Sequence, residues 1–257
     1  MSEATAIKAS RFVTDSEDMA AILESMIFAK HLQGRHSQQS HAGGRGSKVY
    51  NDLKEFVADQ RSEHPTDSQA YDQKIDKITL SQTGPNGELL PSENRMAILA
   101  YQGNIGYKIN ETLRDPQISK DYYMKYIEGL DRTIETAPPL SQKITVYRGV
   151  QSNVGRDNEF WSSMEVGDVI EDKGYVSTTL RPSLAADFAY YNQSVQSQGF
   201  VFKMDLPEGT KGVFPSSVLG LDGGVTRTEA EFLLPRGSKF EILSKEGKVW
   251  ELGLVND

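Results

Sequence analysis

Cysteine is absent from the 257-residue chain, which excludes disulfides, thiol nucleophiles and cysteine-ligated zinc. No apolar run approaches the ~20 residues that a helix needs to cross a bilayer. Positive charge is in deficit. Twenty-eight Lys and Arg against 36 Asp and Glu leave a net charge of −8, which argues against direct binding to nucleic acid or to an anionic membrane. Met1-Ser2-Glu3-Ala4 is polar and acidic, so no secretory signal is expected. Histidine is scarce, and three of the four, His31, His36 and His41, fall five residues apart in a polar, glycine-rich stretch. That spacing fits no zinc pattern and no carboxylate stands near it, so the three read as solvated and no metal site is expected.

The remaining composition describes one sizeable core with an appendage. Thr14 and Glu17 form a capping box, and Met19, Ile22, Leu23, Met26 and Ile27 recur at helical spacing, predicting a helix over residues 15–32. With the polar linker behind it, this makes residues 1–46 an N-terminal packaging or docking segment and residues 47–257 the main domain. Helical patterns continue over 48–60, around 71–78, over 93–113 as two helices joined near Gly103, and over 120–135. The texture changes after Pro138-Pro139. Residues 143–150, 168–179, 200–206, 212–214, 229–234, 238–243 and 248–255 are β-rich, with Lys245-Glu246-Gly247 as a hairpin turn. Helices followed by strands give an α+β class, and the many short strands suggest two packed antiparallel sheets burying Ile144, Val146, Phe232 and Leu234 between them.

Three motifs carry chemistry. In Glu229-Ala230-Glu231, strand alternation would turn both carboxylates to one face, each raising the other's pKa. The preceding loop, rich in glycine, can move; such a pair is also compatible with a solvated strand start. In Tyr147-Arg148-Gly149 an arginine interrupts an apolar strand. It is either an edge residue or a fork for phosphate, beside a glycine that lets backbone approach a ligand. In Ser177-Thr178-Thr179, three hydroxyls at a strand end are either β-favouring residues or a means of holding a carboxylate.

Taken in this order, the motifs resemble the R-S-E class of mono-ADP-ribosyltransferases, which includes enzymatic components of clostridial binary toxins and several phage and bacterial effectors. Tyr101 with Tyr107-x-Ile109-Asn110-x-x-Leu113-Arg114 is similar to the family's helix beneath the NAD site, and Phe188 stands where the family places an aromatic on nicotinamide. The resemblance spans roughly residues 93–255. It implies an ADP-ribosyltransferase fold with a central NAD cleft, NAD as substrate and no metal. Arg148 would contact the phosphates and the Gly149 main chain the nicotinamide amide. Thr178 and Thr179 would line the cofactor site, and Ser177 would orient Glu231 as the carboxylate beside the scissile bond. Glu229 would engage the acceptor, since a glutamate there goes with arginine acceptors in this family. In one departure, residues 188–193 carry no second basic residue, so Arg114 or Arg181 would supply further phosphate contact.

The expectation is thus a monomeric NAD-dependent arginine mono-ADP-ribosyltransferase. It would act on a host protein, such as a transcription or translation component, from the virion or in the host cytoplasm. A His-Leu-x-Gly-x-His-x-Gln-x-x-His pattern over residues 31–41 resembles tailed-phage head proteins. An NAD glycohydrolase and a catalytically inactive virion protein are the alternatives, and NAD-capped RNA is a further conceivable donor. A glycosidase built on the glutamate pair is disfavoured, because its two carboxylates must flank a bond about 5–9.5 Å apart.

Overall fold

A computed structural model of the chain describes residues 69–84, 86–90, 95–152, 160–161, 163–190, 198–222 and 226–255. The expected helices over 15–32 and 48–60, and the division at residue 46, lie outside the described residues.

Among the described residues, four helices precede the first strand: α1 (Gln69–Thr79), α2 (Arg95–Tyr101), α3 (Asn104–Arg114) and α4 (Met124–Thr136), the last entered through a 3-10 turn at Asp121–Tyr123. The break expected near Gly103 is present, and it is tight. A Cβ on Gly106 would stand 2.0 Å from the Tyr101 carbonyl, so the turn from α2 into α3 needs a glycine there. The apolar faces of α2, α3 and α4 meet through Ile98, Ile109, Ile127 and Leu130, and against them pack Val213, Val218 and Leu233 from later in the chain.

The strands are β1 (Ile144–Ser152), β2 (Val169–Asp172), β3 (Val176–Thr179), β4 (Gln198–Leu206), β5 (Glu231–Leu234), β6 (Ser238–Glu246) and β7 (Val249–Val255). The helices α5 (Pro182–Tyr190), α6 (Pro215–Leu219) and α7 (Thr226–Glu229) lie between strands. The strands join in one sheet of order β2-β6-β7-β4-β1-β3-β5. Every pairing is antiparallel except β4 with β7. The β-rich stretch over 168–179 divides at Lys173-Gly174 into β2, at one edge of the sheet, and β3, next to the other edge. Residues 212–214 contribute one bridge, Val213 to Leu233, rather than a strand.

The expected two-layer packing is built from this one sheet. β1 and β3 share a single ladder pair, Tyr147 with Thr179, so the sheet is narrowly joined there and curls. Its halves then enclose a common core in which Ile144, Val146, Phe232 and Leu234 lie with Phe202, Ile242 and Trp250. At the narrow join, the Arg148 guanidinium supplies a hydrogen bond that a ladder would otherwise make, Nη1 donating to the Ser177 carbonyl at 2.8 Å.

Candidate active site

The two glutamates meet at the start of β5. Glu231 is its first residue and is buried, at 5% exposure. In the β3–β5 register Glu231 lies opposite Thr179 and Leu233 opposite Ser177, which puts Ser177 and Glu231 on one face. The Ser177 hydroxyl hydrogen-bonds the Glu231 carboxylate. Gln102, between α2 and α3, donates from Nε2 to Glu231 Oε2 at 3.4 Å. Burial raises the Glu231 pKa above the ordinary carboxylate value, while Ser177, Gln102 and the Arg148 charge draw it back.

Glu229 arrives by a different route from the one strand alternation predicts. It ends the one-turn helix α7, and Ala230, between the glutamates, has a φ of 45°. A non-glycine residue in the left-handed region is strained by roughly 1–3 kcal/mol and persists only where its surroundings hold it. Here the end of β3 holds it. Thr179 Oγ1 donates to the Glu229 carbonyl at 2.5 Å, and the Leu180 N–H donates to the Ala230 carbonyl at 3.1 Å. The kink, rather than an extended strand, brings the carboxyls together. Glu229 stays half-buried, and burial together with the Glu231 carboxylate pushes its pKa up to about 8.

A carboxyl with a raised folded-state pKa binds its proton more tightly folded than unfolded. Its stabilising contribution is therefore complete below the ordinary carboxylate range and is lost as pH climbs through about 8. The melting temperature should fall between pH 5 and pH 8.5, and Glu229→Gln should flatten that fall. Melting curves across the range would show it, and an identical slope in both proteins would remove Glu229 as the cause.

The other expected site residues divide by what holds them. Arg148 is half-buried, with Nη2 3.7 Å from Asp172 Oδ2. Gly149 is required by the packing of the fold. A Cβ there would stand 2.1 Å from the Ala185 carbonyl and 2.7 Å from the Phe188 Cβ, so Gly149 lets α5 lie directly on β1. That contact also places half-buried Phe188 against Gly149. Tyr101 and Asn110 are structural clamps. Asn110 Nδ2 donates to Tyr101 Oη at 2.9 Å, Tyr101 Oη to the Tyr175 carbonyl at 3.3 Å, and the Tyr175 N–H to Asn110 Oδ1 at 2.8 Å. Burial and nearby Glu231 raise the Tyr101 phenol. Thr178 is buried and donates to the Phe232 carbonyl at 2.7 Å, tying β3 to β5. Tyr107 is exposed on α3.

The two arginines expected to aid phosphate binding both hold carboxylates. Arg114 grips both oxygens of Asp172 at 2.8 Å, and Arg181 contacts Asp72 of α1 at 2.8 Å. Asp172 thus stands between Arg114 and Arg148, and it also accepts the Gly174 N–H at 2.9 Å. Neither Asp172 nor Gln102 is singled out by sequence. Gln102 lies beside a motif tyrosine, but a lone polar residue at a helix end carries no distinguishing signal. A cavity of about 610 Å³ lined by Leu113, Asp131, Lys173 and Arg236, among others, includes none of these groups. Among the described residues, no group of three His, Cys, Asp or Glu can hold a metal, and no helix is long and apolar enough to cross a membrane.

A buried carboxylate hydrogen-bonded by a serine, a second glutamate two residues before it and an arginine near them, on a curled mixed sheet, are the arrangement that the resemblance to ADP-ribosyltransferases implied. The family model for the ADP-ribosyltransferase exoenzyme matches residues 59–251, and the chain belongs to that family. NAD is its substrate. No curated protein matches the chain. Among solved structures it is similar to an ADP-ribosyltransferase of the C3 type from Clostridium botulinum, at 16% identity over 74% of this chain and 97% of that one, with a TM-score of 0.53. The ADP-ribosyltransferase Vis, from Vibrio splendidus, in complex with agmatine gives 16% identity over 84% and 88%, at 0.52. A C3 protein from S. aureus, solved with NAD, gives 18% over 74% and 97%, at 0.51. At these identities the likeness shows the fold.

Proposed function

We propose that the chain is a mono-ADP-ribosyltransferase acting on arginine side chains of a protein acceptor. The observation that carries this reading is Glu229, a half-buried carboxylate beside the buried one and nearer to solvent. A carboxylate matches the fork of a guanidinium and can accept its proton, whereas an amide there cannot act as a base. The agmatine complex of Vis supports it, since agmatine carries a guanidinium.

NAD supplies an ADP-ribosyl group joined to nicotinamide through an N-glycosidic bond. As that bond breaks, its electron pair leaves with nicotinamide and positive charge grows on the ribose. Glu231, buried and held by Ser177 and Gln102, faces that charge with a preorganised negative one. The guanidinium of the bound acceptor draws Glu229 into its carboxylate form, and Glu229 then takes the proton that the acceptor nitrogen loses as it bonds to the ribose carbon. Arg148 meets the diphosphate, and Phe188, against Gly149, provides an apolar surface for nicotinamide. The activity belongs to an effector working in a host cytoplasm after delivery, a setting that the phage-like pattern over residues 31–41 favours.

Glu229→Gln is the test. Transfer to agmatine should fall roughly 100-fold or more, the usual weight of a general base, with nicotinamide release into water retained. Transfer at the wild-type rate would remove arginine as the acceptor.

A further inference from the structure

Gln102 uses only part of its hydrogen-bonding capacity. Its Nε2 reaches Glu231 at 3.4 Å, while its Oε1 is buried with no hydrogen-bond partner among the described residues. Buried polar oxygens are almost always satisfied, so an orphan beside an active carboxylate points to a donor that a ligand brings. Its placement is rigid. The Gln102 N–H closes on the Ile98 carbonyl at 3.0 Å, Tyr101 before it is clamped to Tyr175, and the break after it is one that only Gly106 permits. The amide and the carboxylate therefore present two neighbouring acceptors, one charged and one neutral.

Two adjacent acceptors match two adjacent donors, and beside the scissile bond of NAD that pair is the cis-diol of the nicotinamide ribose. We propose that Gln102 is a specificity residue for this diol: Glu231 accepts the 2′-hydroxyl, Gln102 Oε1 accepts the 3′-hydroxyl, and Gln102 Nε2 keeps the carboxylate in register. The proposal rests on the reading of Glu231 as the carboxylate at the reacting ribose.

The test is a two-by-two comparison of nicotinamide release. Wild type and Gln102→Met, which keeps the side-chain volume, are each given NAD and an analogue lacking the 3′-hydroxyl of the nicotinamide ribose. Wild type should prefer NAD by about tenfold in kcat/KM, the order expected of one buried hydrogen bond. Gln102→Met should lose about that much on NAD and treat both substrates alike. A variant that is slower on both but keeps the wild-type preference would overturn the proposal, because Gln102 would then be structural. So would a wild type without the preference, or a variant whose only change is a higher KM for agmatine, which would assign Oε1 to the acceptor. Melting curves establish that the variant is folded. Glu231→Gln in parallel separates the two readings: NAD turnover at the wild-type rate there refutes the role of Glu231 itself, whatever Gln102 does.

Discussion

Glu231→Gln should lower nicotinamide release from NAD by roughly 100- to 1,000-fold, the usual effect of removing one preorganised electrostatic group. The substitution preserves shape and leaves Ser177 and Gln102 with a polar partner, while removing the charge. In the proposed mechanism both hydrolysis and transfer need the charge of Glu231 against the ribose, so the two activities should fall together. In Glu229→Gln, by contrast, they should separate. Burial without the charge is no penalty, because a neutral amide lacks the desolvation cost that raises the Glu231 pKa, so the melting temperature should hold or rise. A loss of activity in a protein at least as stable as wild type is the expected signature. Activity within a few-fold of wild type would place the catalytic charge elsewhere.

The second large effect is structural. Gly149→Ala should destabilise the fold by about 1–3 kcal/mol, the range for overpacking a close contact. The added methyl would meet backbone on α5, the Ala185 carbonyl at 2.1 Å and the Ala189 nitrogen at 2.6 Å, and backbone has no rotamer by which to retreat. The helix would have to lift from β1, where Ala185, Ala186 and Ala189 now pack against Tyr147 and Val201. For a chain of this size that loss corresponds to a melting temperature lower by several degrees, at about 2–4 °C per kcal/mol. Because α5 carries Phe188, the aromatic proposed to meet NAD, KM for NAD should rise as well. Gly253→Ala is the control, since the nearest atoms to its Cβ would belong to the flexible Leu243 side chain, at 3.2–3.4 Å. An equal melting temperature in both variants would show that the α5 contact is not required.

Much of the site was legible because its parts are short and contiguous. Tyr147-Arg148-Gly149, Ser177-Thr178-Thr179 and Glu229-x-Glu231 each lie on one turn or strand end, and the fold brings all three to the β1–β3–β5 side of the sheet. The elements were legible for a related reason. Apolar residues at helical spacing in α3 and α4, and strand-favouring runs in β1 and β4, state locally which face is buried. Gly103 marks the helix break because glycine ends a helical pattern. The route by which Glu229 reaches Glu231 was not legible. An alternating pattern reads as strand, while the left-handed turn at Ala230 depends on hydrogen bonds from Thr179 and Leu180, some 50 residues away. The occupation of Arg114 and Arg181 by Asp172 and Asp72 was hidden for the same reason.

By itself the sequence determined the class of fold, the family resemblance and the three motifs that form the candidate site, because periodicity and short motifs are local properties of a chain. The tertiary structure alone decided that the sheet is continuous, with β4 parallel to β7, that Gly149 lets α5 close on β1, and that Gln102 stands against Glu231. Each of these is a meeting of residues far apart in the chain. Such meetings are selected by how the whole core closes, and no window of sequence contains both partners.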